Sequence, residues 1–261
     1  MKARSKALST TLAIQRCLGS VEEKDDYLLL RTTLVPDYWY GNCLAMPNPP
    51  EPGDSAAWSV LFNEEFPVAQ HRVFLVDGTD GHAGDEAPFI AAGFELNIHD
   101  VLSTRAPGKP ERMNTDFVYR PFDGDADWRS GVETSWAVNQ GTHGYTKAYI
   151  ERSFAALRMA VERGLGSWWG AWDGEQNVGQ MGLFYADGLA RFKDVETHPA
   201  YRRRGVCRTL LFHVCDAASK DFGAPEFVIV PEDDDVRRIY EALGFRFTER
   251  MVDYCRSPLS V

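Results

Sequence analysis

Apolar and polar positions change period several times along this chain, and each change predicts an element. YTKAYIERSFAALRMAVERG, residues 145–164, repeats its apolar residues at helical spacing and ends in Gly164, the pattern of a long amphipathic helix. SWWGAWD (167–173) reads as a strand. VGQMGLFYA (178–186) and LARFKDVETH (189–198) read as two strands joined at Asp187-Gly188, a two-residue hairpin signal. A helix is expected from Arg203 to about Lys220 and a buried strand in EFVIVP (226–231). A second helix follows in DDVRRIYEAL (234–243), stopped by Gly244, and FRFTERMVDYC (245–255) alternates as a last strand. Strands and helices in that order imply a mixed α/β layer with its main sheet face covered by helices.

The first part of the chain carries a fainter version. Leu8, Leu12, Ile14 and Leu18 suit one face of a helix closed by Gly19, a better reading of the basic first residues than a transit peptide. RVFLVDG (72–78) resembles the buried strand EFVIVP, and FIAAGFELNIHDVL (89–102) resembles IYEALGFRFTERMV. Laying Gly93-Phe94 on Gly244-Phe245 aligns two helix-to-strand junctions and suggests an internal duplication. Between the halves, RAPGKPERMNTD (105–116) has linker composition. The expected domains are 1–110 and 116–261, in keeping with a 261-residue chain.

Composition narrows the function. A formal net charge of −10 speaks against a general coat for DNA or RNA. It suits cationic substrates such as amines, or simply solubility. The five cysteines, Cys17, Cys43, Cys207, Cys215 and Cys255, include no Cys-x-x-Cys pair, which favours reduced thiols in the cytoplasm and no zinc site. No apolar run is long enough to cross a bilayer, and no His/Cys/carboxylate cluster has metal-ligand spacing.

One stretch of this acidic chain departs from its surroundings: HPAYRRRGVCRTLLFHV, from His198. Arg202, Arg203 and Arg204 stand before Gly205 at the start of an apolar helix. A helix start leaves backbone N–H groups unpaired and carries partial positive charge, so a phosphate fits there. Gly205 lets a pyrophosphate approach the backbone, the small Cys207 keeps the next turn open, and the arginines can pair with phosphate oxygens. A solvated charge run leaves the spacing unexplained, and a single basic turn without interleaved aromatics is a poor nucleic-acid footprint.

VETHPAYRRRGVCRTLL resembles motif A of the GCN5-related N-acetyltransferases, a strand, a Gln/Arg-x-x-Gly-x-Gly/Ala loop and a helix. Here the loop is Arg202-x-x-Gly205-x-Cys207, with cysteine in the usual place of a small residue. IYEALGF (239–245) resembles motif B, with a buried strand between the two motifs. The resemblance covers roughly residues 116–256. It implies a fold of two acyl-CoA N-acyltransferase-like domains, each a mixed, mainly antiparallel sheet flanked by helices, with the first degenerate. It implies acetyl-CoA as co-substrate, no metal, and transfer of an acetyl group to a primary amine of a small molecule or peptide by direct attack.

The same resemblance assigns residues. Backbone around Arg203, Arg204, Gly205, Val206, Cys207 and Arg208, with Arg202, would hold the pyrophosphate. Val195 and Thr197, on a strand splayed from EFVIVP, would pair with the pantetheine arm. Tyr240 stands where the family often has a tyrosine that protonates the leaving thiolate. Glu196 is the expected base, with Asp194 on the same face by alternation and His198 as a turn residue. Asp233 occupies the place of a common asparagine, inside PEDDD, where it could cap the next helix or repel phosphates. The residue aligned with Tyr240 in the first half is Phe89, which has no hydroxyl, and no Arg-x-x-Gly loop leads into a helix there. Trp168 and Trp169 point to opposite sheet faces, so at most one lines a cleft. The rivals are a non-catalytic acyl-CoA sensor and, more remotely, a nucleic-acid-binding protein.

Overall fold

The computed structural model describes residues 1–223 and 225–258. In chain order its elements begin with α1 (Lys6–Leu18), β1 (Ser20–Glu23), β2 (Leu28–Arg31), β3 (Cys43–Met46), α2 (Asp54–Glu65), β4 (Arg72–Val76), α3 (Ala87–Ala91) and β5 (Glu95–Thr104). They continue with β6 (Val118–Pro121), α4 (Gly124–Asn139), α5 (Lys147–Glu162), β7 (Gly166–Asp173), β8 (Gln176–Ala186), β9 (Leu189–Thr197), α6 (Val206–Phe222), β10 (Glu226–Ile229), α7 (Asp234–Glu241) and β11 (Arg246–Arg256).

Two compact units result. The first comprises Met1–Val101 and the chain from Thr248 onward; the second is Leu102–Phe247. This grouping differs from a cut at the linker, because β11 pairs antiparallel with β4, Val252 opposite Val76 through Arg256 opposite Arg72. The linker itself is irregular and tied to the second unit. The Asn114 N–H donates to Thr209 Oγ1 at 2.9 Å, and its side chain donates to the Arg204 carbonyl at 3.0 Å.

The first unit orders its strands β1-β2-β3-β4-β11-β5; β1/β2, β2/β3 and β4/β11 are antiparallel and β3/β4 is parallel. Leu8 and Leu12 of α1 pack with Leu28, Leu30, Val73 and Leu75 on one face. Trp58 and Phe62 of α2 and Phe89 of α3 pack with Phe74, Val76 and Tyr254 on the other. In the second unit the strands β10, β9, β8, β7 and β6 are consecutive neighbours, and the end of β5 pairs antiparallel with β10. Only β9/β10 is parallel there. α6 covers one face through Leu210, Leu211 and Val214, packed with Met181, Leu183, Phe192 and Phe227. On the other face Trp128 of α4 and Phe154 of α5 contact Trp168 of β7.

Most of the expected elements of the second half form. Asp187 and Gly188 both have positive φ, 51° and 77°, as a tight hairpin turn requires. Trp168 is buried in the aromatic cluster, and Trp169 packs against the opposite core. The helix expected from Arg203 starts instead at Val206. Arg203 (φ 64°) and Gly205 (φ 78°) are both left-handed and cannot belong to a right-handed helix. α4 was not expected. Its buried face includes Asp127, Gly131, Thr134 and Ser135, so it lacks the apolar stripe that periodicity detects.

The two aligned junctions share one hydrogen-bond pattern. The Phe94 N–H donates to the Phe89 carbonyl at 3.0 Å, and the Phe245 N–H donates to the Tyr240 carbonyl at 3.2 Å. Gly93 (φ 83°) and Gly244 (φ 87°) make the same left-handed turn between. Ala at 244 would hold φ near 87° at a cost of about 1–2 kcal/mol. Gly244→Ala should therefore lower the melting temperature by about 2–8 °C, measured by circular dichroism.

Candidate functional site

The second unit contains a cavity of about 620 Å³ at the point where its parallel strands part. β9 and β10 pair only through Leu189 with Glu226, Ala190 with Phe227 and Arg191 with Val228. The remainder of β9 runs on to Thr197 along β8 and has no partner in β10. Val195, Glu196 and Thr197 line one side of the cavity, and Glu232 and Asp233, just beyond β10, line the other. The expected splay is thus a feature of the strand register.

A bulge sharpens the separation. Gln180 pairs with Glu196 and Gly182 with Lys193, so Asp194 and Val195 together face Met181. Asp194 takes the strain at φ 48°. The bulge resets the alternation that would put Asp194 and Glu196 on one face. Val195 now packs into the same core as Phe192, and Glu196 turns to α4. Asp194 does not line the cavity; it pairs with Lys193 at 3.2 Å.

Arg202, Arg203, Gly205, Val206, Cys207 and Arg208 line the floor. The first helical hydrogen bond of α6 joins the Thr209 N–H to the Gly205 carbonyl at 3.2 Å. The N–H groups of Val206, Cys207 and Arg208 therefore have no acceptor among the described residues, which leaves a concave cluster of donors suited to an anion. A Cβ at Gly205 would lie 3.2 Å from the Arg208 guanidinium. Arg204 is the exception. It lies over the Phe117 ring, pairs with Asp116 at 3.2 Å and is not part of the cavity wall.

Tyr240 is 3% exposed and lines the cavity, and its hydroxyl has no hydrogen-bond partner among the described residues. Burial holds its phenol well above the ordinary range, so it stays protonated at neutral pH. Burial also pushes the Cys207 thiol up to about 12, so that group is an inert small filler of the wall. Asp233 is the N-cap of α7; its Oδ1 accepts from the Val236 N–H at 2.8 Å. His198 is a turn residue whose Nδ1 accepts from the Ala200 N–H at 3.2 Å.

Glu196 is largely buried. Its Oε1 accepts from Ser135 Oγ at 2.9 Å and from Asn139 Nδ2 at 2.8 Å, and its Oε2 accepts from Gln180 Nε2 at 2.7 Å. Burial raises its pKa to about 7, the nearby Asp194 charge adds to the rise, and the three donors oppose it. Ser135, Asn139 and Gln180 were not among the expected site residues. Val138, beside Asn139, also lines the cavity. Among the described residues no three His, Cys, Asp or Glu side chains gather where a metal ion could sit, and no helix is long and apolar enough to cross a membrane.

The first unit holds the same parts in another state. β3 and β4 stay paired from Leu44 with Phe74 to Met46 with Val76, and the Asp77 N–H then donates to the Met46 carbonyl at 2.9 Å. Just past the strand ends, the Arg4 guanidinium donates to the carbonyls of Pro47 and Asp77. The expectation that nothing stands for the loop there is corrected in shape. Gly53 (φ 98°) precedes α2 as Gly205 precedes α6, with Pro50 at the spacing of Arg202. The charge is opposite, since Pro50, Glu51 and Pro52 stand where the second unit has Arg202, Arg203 and Arg204, and Asp54 adds negative charge at the helix start.

Residues 133–245 match the family model "Acetyltransferase (GNAT) family". The chain is 29% identical over 137 residues to "Uncharacterized N-acetyltransferase YsnE" of Bacillus subtilis (strain 168), covering 51% of this chain and 91% of that protein. In fold it is similar to a GCN5-related N-acetyltransferase from Kribbella flavida, with TM-score 0.63 and 14% identity over 97% of this chain and 96% of the other. It is also similar to a tandem GNAT protein from the clavulanic acid biosynthesis pathway, with TM-score 0.53 and 11% identity over 79% and 70% of the two chains.

A carboxyl raised from 4.5 to about 7 makes the folded chain bind more protons than the unfolded chain between those values. Stability contributed by Glu196 is therefore present below the lower value and lost as pH rises through the upper one. Urea unfolding of Glu196→Gln at a series of pH values should show a flatter decline across that window than the wild type.

Proposed function

Because residues 133–245 belong to the acetyltransferase (GNAT) family and the chain is an acyltransferase, we propose that it moves an acetyl group from acetyl-CoA to a primary amine by direct attack. The observation that carries this reading is the parting of β9 from β10 over a cavity that joins a donor-rich helix start, Glu196 and Tyr240. The N–H groups of Val206, Cys207 and Arg208 fit a pyrophosphate, with Arg202, Arg203 and Arg208 neutralising its charge. The free edge of β9 at Val195–Thr197 offers backbone groups to the pantetheine amides, as an added strand would use them, and an N–H there can polarise the acetyl carbonyl. Arg204 is left to the surface contacts already described, and Asp233 contributes as a cap beside the cavity rather than as a phosphate ligand.

Amide formation needs two proton movements. Glu196, near neutrality, takes a proton from the attacking amine, directly or through water, as its nitrogen bonds to the acetyl carbon. The carbon–sulfur bond breaks, and Tyr240, protonated and otherwise unpaired, supplies the proton to the departing sulfur. The first unit is read as a degenerate copy whose cleft is zipped and blocked by Arg4, so that each chain carries one coenzyme site. All five cysteines stand as free thiols, in keeping with a cytoplasmic setting.

Titration calorimetry with acetyl-CoA should give one site per chain, lost in Gly205→Glu. A wild type that binds none would end the enzyme and sensor readings together. With an amine found by screening polyamines, aminoglycosides, amino acids and peptide N-termini, Tyr240→Phe should lower kcat by about 100-fold with little change in coenzyme affinity. An unchanged rate would remove Tyr240 from the reaction, and coenzyme binding without turnover of any amine would leave the sensor.

A further inference from the structure

α4 carries Gly131, Ser135 and Asn139 at four-residue spacing, which places them on one stripe of the helix. A stripe turned toward a sheet is ordinarily apolar. This one is a glycine, a hydroxyl and an amide, all poor helix formers, and a buried hydroxyl or amide is costly unless paired. One partner accounts for it. Ser135 and Asn139 both donate to Glu196 Oε1. Gln180, fully buried on β8, donates to Glu196 Oε2 and, at 3.0 Å, to the Gly131 carbonyl. A Cβ at position 131 would lie 2.7 Å from Gln180 Oε1, so the glycine is what lets Gln180 reach the helix.

We propose that Ser135, Asn139 and Gln180 are the positioning residues of this site, gripping both oxygens of Glu196 and holding it in its charged, proton-accepting form. This rests on the reading of Glu196 as the base. Burial and Asp194 both favour the protonated acid, and the three donors oppose them. β8 brings no charge to the carboxyl. On α4 the nearby Glu133 is engaged with Lys147 at 2.7 Å. Across the cavity stand Arg202, Arg203 and Arg208 with Glu232, Asp233 and Asp235, cations and anions in equal number. The hydrogen bonds are therefore the principal local support for the carboxylate. Losing one should raise the Glu196 midpoint by about one pH unit, leaving about fivefold less carboxylate at pH 7.

The test is an infrared pH titration of the whole chain, with Glu196→Gln subtracted to isolate the Glu196 band. Ser135→Ala and Asn139→Ala should each shift the midpoint upward, and Ser135→Thr, which keeps the hydroxyl, should restore it. Asn139 ends α4 and is half-buried, so its variant serves if Ser135→Ala does not fold. Unchanged midpoints in folded variants would overturn the proposal. Turnover of the amine found by the screen separates the two readings. If Glu196→Gln is inactive and the midpoints do not move, the positioning proposal alone falls. If the midpoints move but Glu196→Gln keeps full turnover, the base reading falls and takes the catalytic role of these residues with it.

Discussion

The second unit depends on two parallel strands that stop pairing. A parallel ladder satisfies backbone donors and acceptors evenly along its length, and a strand that leaves it must find other partners or face solvent. β9 keeps β8 on one side and opens its other edge after Arg191. The bulge at Asp194 commits it to that course by turning Val195 into the core and Glu196 toward α4. The open edge, the buried carboxyl and the donor cluster at α6 all follow from this one local failure of pairing.

The parts of the site that sequence exposes are those with local causes. Arg202-x-x-Gly205 stands out because a charged turn before an apolar helix is chemically odd, and Gly244-Phe245 stands out because a left-handed turn there needs glycine. The Asp187-Gly188 hairpin is legible for the same reason. What sequence conceals depends on partners far along the chain. α4 hides because its inward stripe serves a carboxyl on β9 rather than an oily surface, so periodicity sees no helix. The Asp194 bulge hides because aspartate is an ordinary surface residue, and only the register against β8 shows the extra position. Parity places Glu196 opposite Val195, which holds, but it also sets Asp194 beside Glu196, which the bulge undoes. The place of Glu196 at the site comes from the reset phase.

The two units set like parts to unlike ends. Each has a parallel strand pair joined through a helix that a left-handed glycine introduces. In one, the strands part over free N–H groups and arginines. In the other they stay zipped, prolines and a glutamate stand in place of the arginines, and Arg4 binds the carbonyls at the strand ends. Gly53 and Gly205 share a conformation, so the difference between the open loop and the closed one lies in the neighbours of the glycine.

β11 gives the chain an unusual order of completion. The strand β4 is in place by residue 76, yet one of its two neighbours is drawn from residues 252–256, made only after the whole second unit. As the polypeptide leaves the ribosome, the first unit carries an incomplete sheet with one edge of β4 bare while the whole second unit is made. An edge of that kind invites pairing with a wrong strand. Folding here cannot proceed as one finished domain and then another. β11 closes the first unit, so a ribosome that stalls before residue 252 leaves the sheet of that unit open although its other strands were made before the second unit.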